Sequence, residues 1–254
     1  MKGSLVAIVT PMFANGEIDF NSLKKLFNFH EENGTNGIVL VGTTGESATL
    51  DKHERAKIFS FAREETNLPL MAGVGSSSTR DALELCEIAL KNGINDCLAV
   101  TPYYNKPSQK GLLLHFKELA KTSANIVLYN VPGRTGVDLD PLTTKELSSV
   151  SNITGIKEAV DSTKRFEALK NIKDDNPDFL LYSGDDPTFV EFMKYSGDGV
   201  ISVAANVIPK HMRELSDLCF AQSFEEAEQL NQDYLEIFKL LFTEASPSPC
   251  KYLL

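Results

Sequence analysis

The chain has 254 residues, 42% hydrophobic and 24% charged, a balance that excludes disordered and fibrous classes. With 35 acidic against 25 basic residues the net charge is −10, so nothing in the charge points to nucleic acid or to an anionic membrane surface, and an anionic substrate must be met by locally placed cations. The length suits one large domain or two small ones, with a core that needs neither disulfides nor metals.

At the start, Met1-Lys2-Gly3 before the apolar Leu5 to Val9 has the outline of a signal peptide. Thr10-Pro11 interrupts the run and no small-residue cleavage site follows, so the segment reads as a strand. Further short apolar, β-branched runs follow at Ile38 to Gly42, Leu70 to Gly75, Cys97 to Thr101, Ile126 to Val131, Ile153 to Lys157, Phe179 to Ser183 and Val200 to Val203. Amphipathic segments such as Asn21 to Glu32 and Ala82 to Asn92 lie between them, and Asn33-Gly34, Asn92-Gly93 and Ser196-Gly197 each stop a helix with a residue able to take positive φ. Strand and helix alternating eight times predict an α/β fold of the (β/α)₈ TIM-barrel type rather than a doubly wound sheet. Gly73-x-Gly75-x-x-Ser78 only approximates a dinucleotide fingerprint and reads as a Gly-lined turn.

After the eighth unit, Phe224 to Phe242 has helical spacing, Ser246-Pro247-Ser248-Pro249 is a breaker, and Cys250 to Leu254 looks like the first turn of another helix. The expected organisation is a catalytic barrel over 1–222 and a C-terminal helical segment over 223–254 that appears incomplete. No apolar run approaches the roughly 18 residues that span a bilayer. Cys86, Cys97, Cys219 and Cys250 lack C-x-x-C spacing and read as buried hydrophobes in a reducing compartment, hence a cytoplasmic location.

Barrel enzymes react at the C-terminal ends of their strands, so the residues there carry the functional signal. Gly42-Thr43-Thr44-Gly45-Glu46-Ser47 follows the second strand and reads either as an ordinary turn or as a backbone and hydroxyl site for a carboxylate. Tyr103-Tyr104 ends the fourth strand; an extended pair sends its rings to opposite sides, so one faces a pocket and one a neighbour, unless both are rim residues. Tyr129 ends the fifth strand, and Arg134 sits on a Pro-Gly turn, as a carboxylate clamp or a solvated cation.

Lys157, inside the apolar sixth strand, is the sharpest signal. Burial lowers an amine's pKa, and a neutral amine attacks carbonyls to form a Schiff base; the alternative is a snorkelling or ion-paired lysine. Asp185-Asp186-Pro187 reads as a helix cap with Pro at the first helical position rather than as a metal pair. Gly199 to Asn206 reads as a small-residue wall. His30, His53, His115 and His211 fall on helical segments away from the strand ends and are assigned no chemistry.

Together these motifs, with Val6-Ala7-Ile8-Val9-Thr10-Pro11 and Gly155-Ile156-Lys157-Glu158-Ala159, resemble the dihydrodipicolinate synthase family of pyruvate-dependent, Schiff-base class I aldolases from Gly3 to about Lys251. The resemblance implies that Lys157 forms an imine with pyruvate and that the derived enamine attacks L-aspartate 4-semialdehyde, cyclisation with loss of water following. Catalytic roles pass to Lys157, Tyr129, Thr43 and Tyr104, with Tyr104 crossing a dimer interface within a homodimer or homotetramer. Substrate-binding roles pass to Thr44, Arg134, Ile201 and Gly184. No cofactor is expected, because a protonated Schiff base is itself the electron sink.

Two departures stand out. The positions matching the family's lysine-regulatory pocket read Lys52, Arg55, Ser77 and Asp81, and family members continue through further helices. The alternatives are a related aldolase acting on sialic acid or a keto-deoxy-sugar acid, and an inactive binding barrel.

Overall fold

The computed structural model describes residues 1–254. Eight parallel strands close into a barrel in sequence order: β1 (Gly3–Ala7), β2 (Gly37–Leu40), β3 (Leu70–Gly73), β4 (Asp96–Val100), β5 (Asn125–Asn130), β6 (Ile153–Glu158), β7 (Leu180–Ser183) and β8 (Gly199–Ser202). Every strand anticipated from the sequence is present, with ends shifted by at most three residues. Side chains alternate between two cores, as the pleat requires. Leu5, Ala7, Val39, Met71, Leu98, Val127, Tyr129, Tyr182 and Ile201 fill the barrel interior. Val6, Ile8, Leu40, Ala72 and Leu128 face outward to meet Phe27, Phe59 and Phe116 of the surrounding helices. Each such phenylalanine, wholly buried, contributes about 1.5–3 kcal/mol of transfer free energy.

The seam between β1 and β8 is pinned at both ends. Below, Gly199 takes φ +150°, and a Cβ there would stand 2.1 Å from the Gly3 carbonyl oxygen, so only glycine lets the strands meet. Above, Asn206 accepts from the Val9 N–H at 3.0 Å and donates to the Ala7 carbonyl at 2.9 Å. The Tyr182 phenol donates to the Met1 carbonyl at 2.6 Å.

Four local expectations are corrected. At the Ser196-Gly197 stop it is Ser196, not the glycine, that takes the left-handed conformation, whereas Gly34 and Gly93 do so as expected. Arg134 lies not on an open turn but on a one-turn helix, Pro132–Thr135, closed by Gly136 at φ +73°. The helix after β7 begins at Phe189, beyond Pro187; Asp185 accepts from the Thr188 N–H and hydroxyl, and Asp186 turns inward to accept from the N–H groups of Val203 and Ala204 at 3.1 and 2.9 Å. The segment from Phe224 is two helices, Phe224–Asp233 and Leu235–Leu240, broken at Tyr234, whose ring packs 4.2 Å from that of His211.

The last helix, Ser248–Leu253, buries Cys250 while Tyr252, Leu253 and Leu254 stay exposed. All four cysteines are free and buried. No helix is long and apolar enough to cross a membrane.

Candidate active site

The barrel register sets the site. Tyr129 on β5 lies level with Lys157 on β6, which lies level with Tyr182 on β7, so all three side chains enter the interior; Asn130 and Glu158, one residue on, face out. Lys157 is 5% exposed, with Nζ 4.3 Å from the Tyr129 ring centroid.

Two effects oppose each other at this amine. The π face favours an ammonium by about 0.5–2 kcal/mol, whereas full burial can depress an amine's pKa by about 3–5 units. Desolvation wins: burial lowers Lys157 to about 8, with the Asp186 carboxylate pulling it up and Arg134 pushing it further down. Gly184 makes the room. A Cβ there would stand 3.0 Å from both Lys157 Cε and the Glu158 carbonyl oxygen.

Burial pushes the Tyr129 phenol up to about 12, against the downward pull of Arg134 and of the Thr43 hydroxyl as hydrogen-bond partner. The phenol therefore carries its proton at neutral pH. Thr43 and Thr44 sit on a turn held from several sides: the Glu46 N–H donates to the Thr43 carbonyl at 3.0 Å, the Ser47 N–H to the Gly42 carbonyl at 3.2 Å, and the Thr10 hydroxyl to the Gly45 carbonyl at 2.8 Å.

Outward-facing residues position Arg134. Asn130 accepts from the Leu139 N–H at 2.9 Å and donates to Asp138 at 2.7 Å and to Glu158 at 3.0 Å, tying down the loop that carries the guanidinium. Arg165 donates to the Leu139 carbonyl at 2.7 Å and pairs with Asp138. Desolvation raises the buried Glu158 carboxyl to about 7.

Thr43, Thr44, Tyr129, Arg134, Lys157 and Gly184 all line one cavity of about 170 Å³, with Ala7, Leu98, Val131, Ala159 and Val203 as apolar wall. That volume suits molecules of a few heavy atoms, well below the roughly 300–1,000 Å³ of drug-sized pockets. A larger groove of about 530 Å³, between Leu240 and Leu253, offers no amine or guanidinium.

The model of the dihydrodipicolinate synthetase family matches residues 1–254. The chain belongs to that family. It is 50% identical to the 4-hydroxy-tetrahydrodipicolinate synthase of Stutzerimonas stutzeri (strain A1501), over all of this chain and 87% of that protein. The chloride-inhibited dihydrodipicolinate synthase of Acinetobacter baumannii, solved with pyruvate, superposes with a TM-score of 0.94 at 44% identity, covering 99% of this chain and 87% of that one. A monomeric dihydrodipicolinate synthase variant gives 0.95 at 40% identity, covering 99% and 85%.

Two of the residues that the family resemblance selects lie off the cavity lining. Ile201 is in the interior layer with Ala7 and Tyr129, and Val203, two residues on, takes the place at the wall. Tyr104 is 89% exposed, in the left-handed region at φ +72°, on a loop fixed by the Asn105 side chain donating to the Ser77 carbonyl at 2.7 Å.

Of the regulatory positions, Lys52 pairs at 2.6 Å with both Asp81 and Glu84, while Arg55 is buried and donates to the Ser47 and Leu50 carbonyls. The sequence did not single out Phe242 and Ser246, which line the cavity from the C-terminal segment. Ser246 stands in a Ser-Pro repeat that signals only a helix break.

Proposed function

We propose that this chain catalyses the 4-hydroxy-tetrahydrodipicolinate synthase reaction, a lyase-class condensation of pyruvate with L-aspartate 4-semialdehyde in lysine and diaminopimelate biosynthesis. The observation that carries it is the desolvated Lys157 amine in a small cavity shared with the Tyr129 phenol, the Thr43-Thr44 turn and Arg134. Lys157 Nζ adds to the keto carbon of pyruvate, water leaves, and the iminium loses a C3 proton to give an enamine. The pyruvate carboxylate lies on the Thr43-Thr44 turn. The enamine carbon attacks the aldehyde, Tyr129 protonates the forming alkoxide, and the substrate amine displaces Lys157 as the ring closes. Arg134 holds the second carboxylate, and Gly184 and Ile201 shape the site around the imine. These steps require no cofactor.

A keto-deoxy-sugar or sialic acid substrate fits less well, because the wall at Val131 to Arg134 offers one cation and apolar surface in place of the several polar groups a polyol needs. Coupled steady-state assays decide: turnover of aspartate semialdehyde with pyruvate supports the assignment, and turnover of sialic acid alone overturns it.

The pH profile follows from Lys157. At pH 7 an amine with a pKa of about 8 is neutral in roughly one molecule in ten, some 300-fold more than an ordinary lysine. Its neutral form attacks, so kcat/KM for pyruvate rises about tenfold per pH unit below 8 and levels off above it. A profile flat from pH 6 to 8 contradicts the assignment of the attacking group.

Tyr104 completes the site from a second copy of the chain, relaying protons through Thr43 to Tyr129. Its exposed ring on a strained but tethered loop supports that reading. Tyr104→Phe is expected to slow turnover while the Lys157 adduct still forms, with sedimentation reporting a dimer or tetramer. A fully active monomer contradicts it.

A further inference from the structure

The C-terminal segment contributes Phe242 and Ser246 to the catalytic cavity, and the Ser246 hydroxyl is buried there without a protein partner. Five residues on, Lys251 Nζ lies 2.6 Å from Glu46 Oε2, the one ion pair that joins this segment to the β2 exit turn. Both side chains are about 30% exposed and both backbones are fixed. Glu46 stands at φ +60° with its N–H on the Thr43 carbonyl, so its backbone is part of the turn that carries Thr43. Lys251 follows the wholly buried Cys250, and its N–H bonds the Pro247 carbonyl at 2.9 Å.

Surface pairs such as Lys170–Asp174, within one helix, hold nothing apart and contribute at most about 1 kcal/mol. The Lys251–Glu46 pair differs in what it connects: it spans 205 positions of sequence and links the Thr43-Thr44 turn on one side of the cavity to Phe242 and Ser246 on the other. With both backbones held, only the two side chains have to be ordered when the pair forms.

Resting on the proposed reaction, we infer that Lys251 and Glu46 are positioning residues. Their ion pair latches the C-terminal wall to the carboxylate-binding turn and sets the width of the site that receives pyruvate. Neither touches the reacting atoms. The latch acts on binding, through the placement of the Thr43-Thr44 donors, more than on the chemical step.

The test compares Lys251→Met, Glu46→Gln, Lys251→Arg and the double exchange Glu46→Lys with Lys251→Glu. Steady-state kinetics, borohydride trapping of pyruvate on Lys157 and thermal midpoint are measured for each. A KM for pyruvate about tenfold higher is expected in each neutral variant, because without the tie the turn holds the Thr43-Thr44 donors in their binding position only about a tenth of the time. Their kcat and thermal midpoint should be nearly unchanged, and adduct should still form at saturating pyruvate. Lys251→Arg should behave as the unaltered chain, and the charge exchange should recover most of the lost affinity. KM within about twofold of the unaltered chain in both neutral variants overturns the latch. So does a rise that tracks the thermal midpoint and is not recovered by the exchange. Absence of the adduct in the unaltered chain would instead refute the proposed reaction, a separate result.

Discussion

Lys157→Met should lower turnover by about 10⁴-fold or more, the scale on which covalent enzymes lose activity with their nucleophile, and leave the barrel folded. Methionine matches the length of the lysine stem and fills irregular space without strain. It also removes an amine that is 5% exposed and whose stabilising charge, the Asp186 carboxylate, has its own pKa raised by burial. Thermal midpoint should therefore hold steady or rise, because a costly buried polar group has gone. Circular dichroism with a coupled assay reads both quantities. Residual turnover within about tenfold of the unaltered chain would remove Lys157 from the chemistry.

Tyr129→Phe should cost about 10²–10⁴-fold in kcat, the range for a general acid in place, with a much smaller change in KM. The ring stays where it is, under Lys157 Nζ and against Ala7 and Leu98. Only the phenolic proton is lost. Because the phenol's pKa of about 12 keeps it protonated through neutral pH, the defect should not be relieved between pH 7 and 9. A defect confined to KM would make Tyr129 a binding residue instead.

The eight strands were legible because parallel strands buried on both faces read as continuous apolar runs, and Gly34 and Gly93 mark helix ends by a conformation other residues avoid. The strand exits were less legible. Ile8, Val9 and Val74 remain apolar and buried beyond the ends of β1 and β3, so composition does not change where the strand stops. Lys157 stood out because an amine within a buried strand demands a reason; its partner Tyr129 follows from register, which alternation alone does not fix between strands.

Contacts distant in sequence left no local trace. Asp186 resembled a cap residue because it precedes a proline, whereas its partners, Val203 and Ala204, come from the next strand's exit. Asn130 gave no sign of bracing the Arg134 loop through Asp138 and Leu139. The wall built by Phe242 and Ser246 lies beyond the eighth unit, where barrel logic does not look for a site.

Treatment of the protein with pyruvate and borohydride, followed by peptide mass mapping, tests most directly whether Lys157 is the imine-forming residue. The expected result is a single reduced pyruvate adduct on the peptide containing Lys157, dependent on pyruvate and absent from Lys157→Met. An adduct on another lysine, or none while the enzyme turns over, would contradict it.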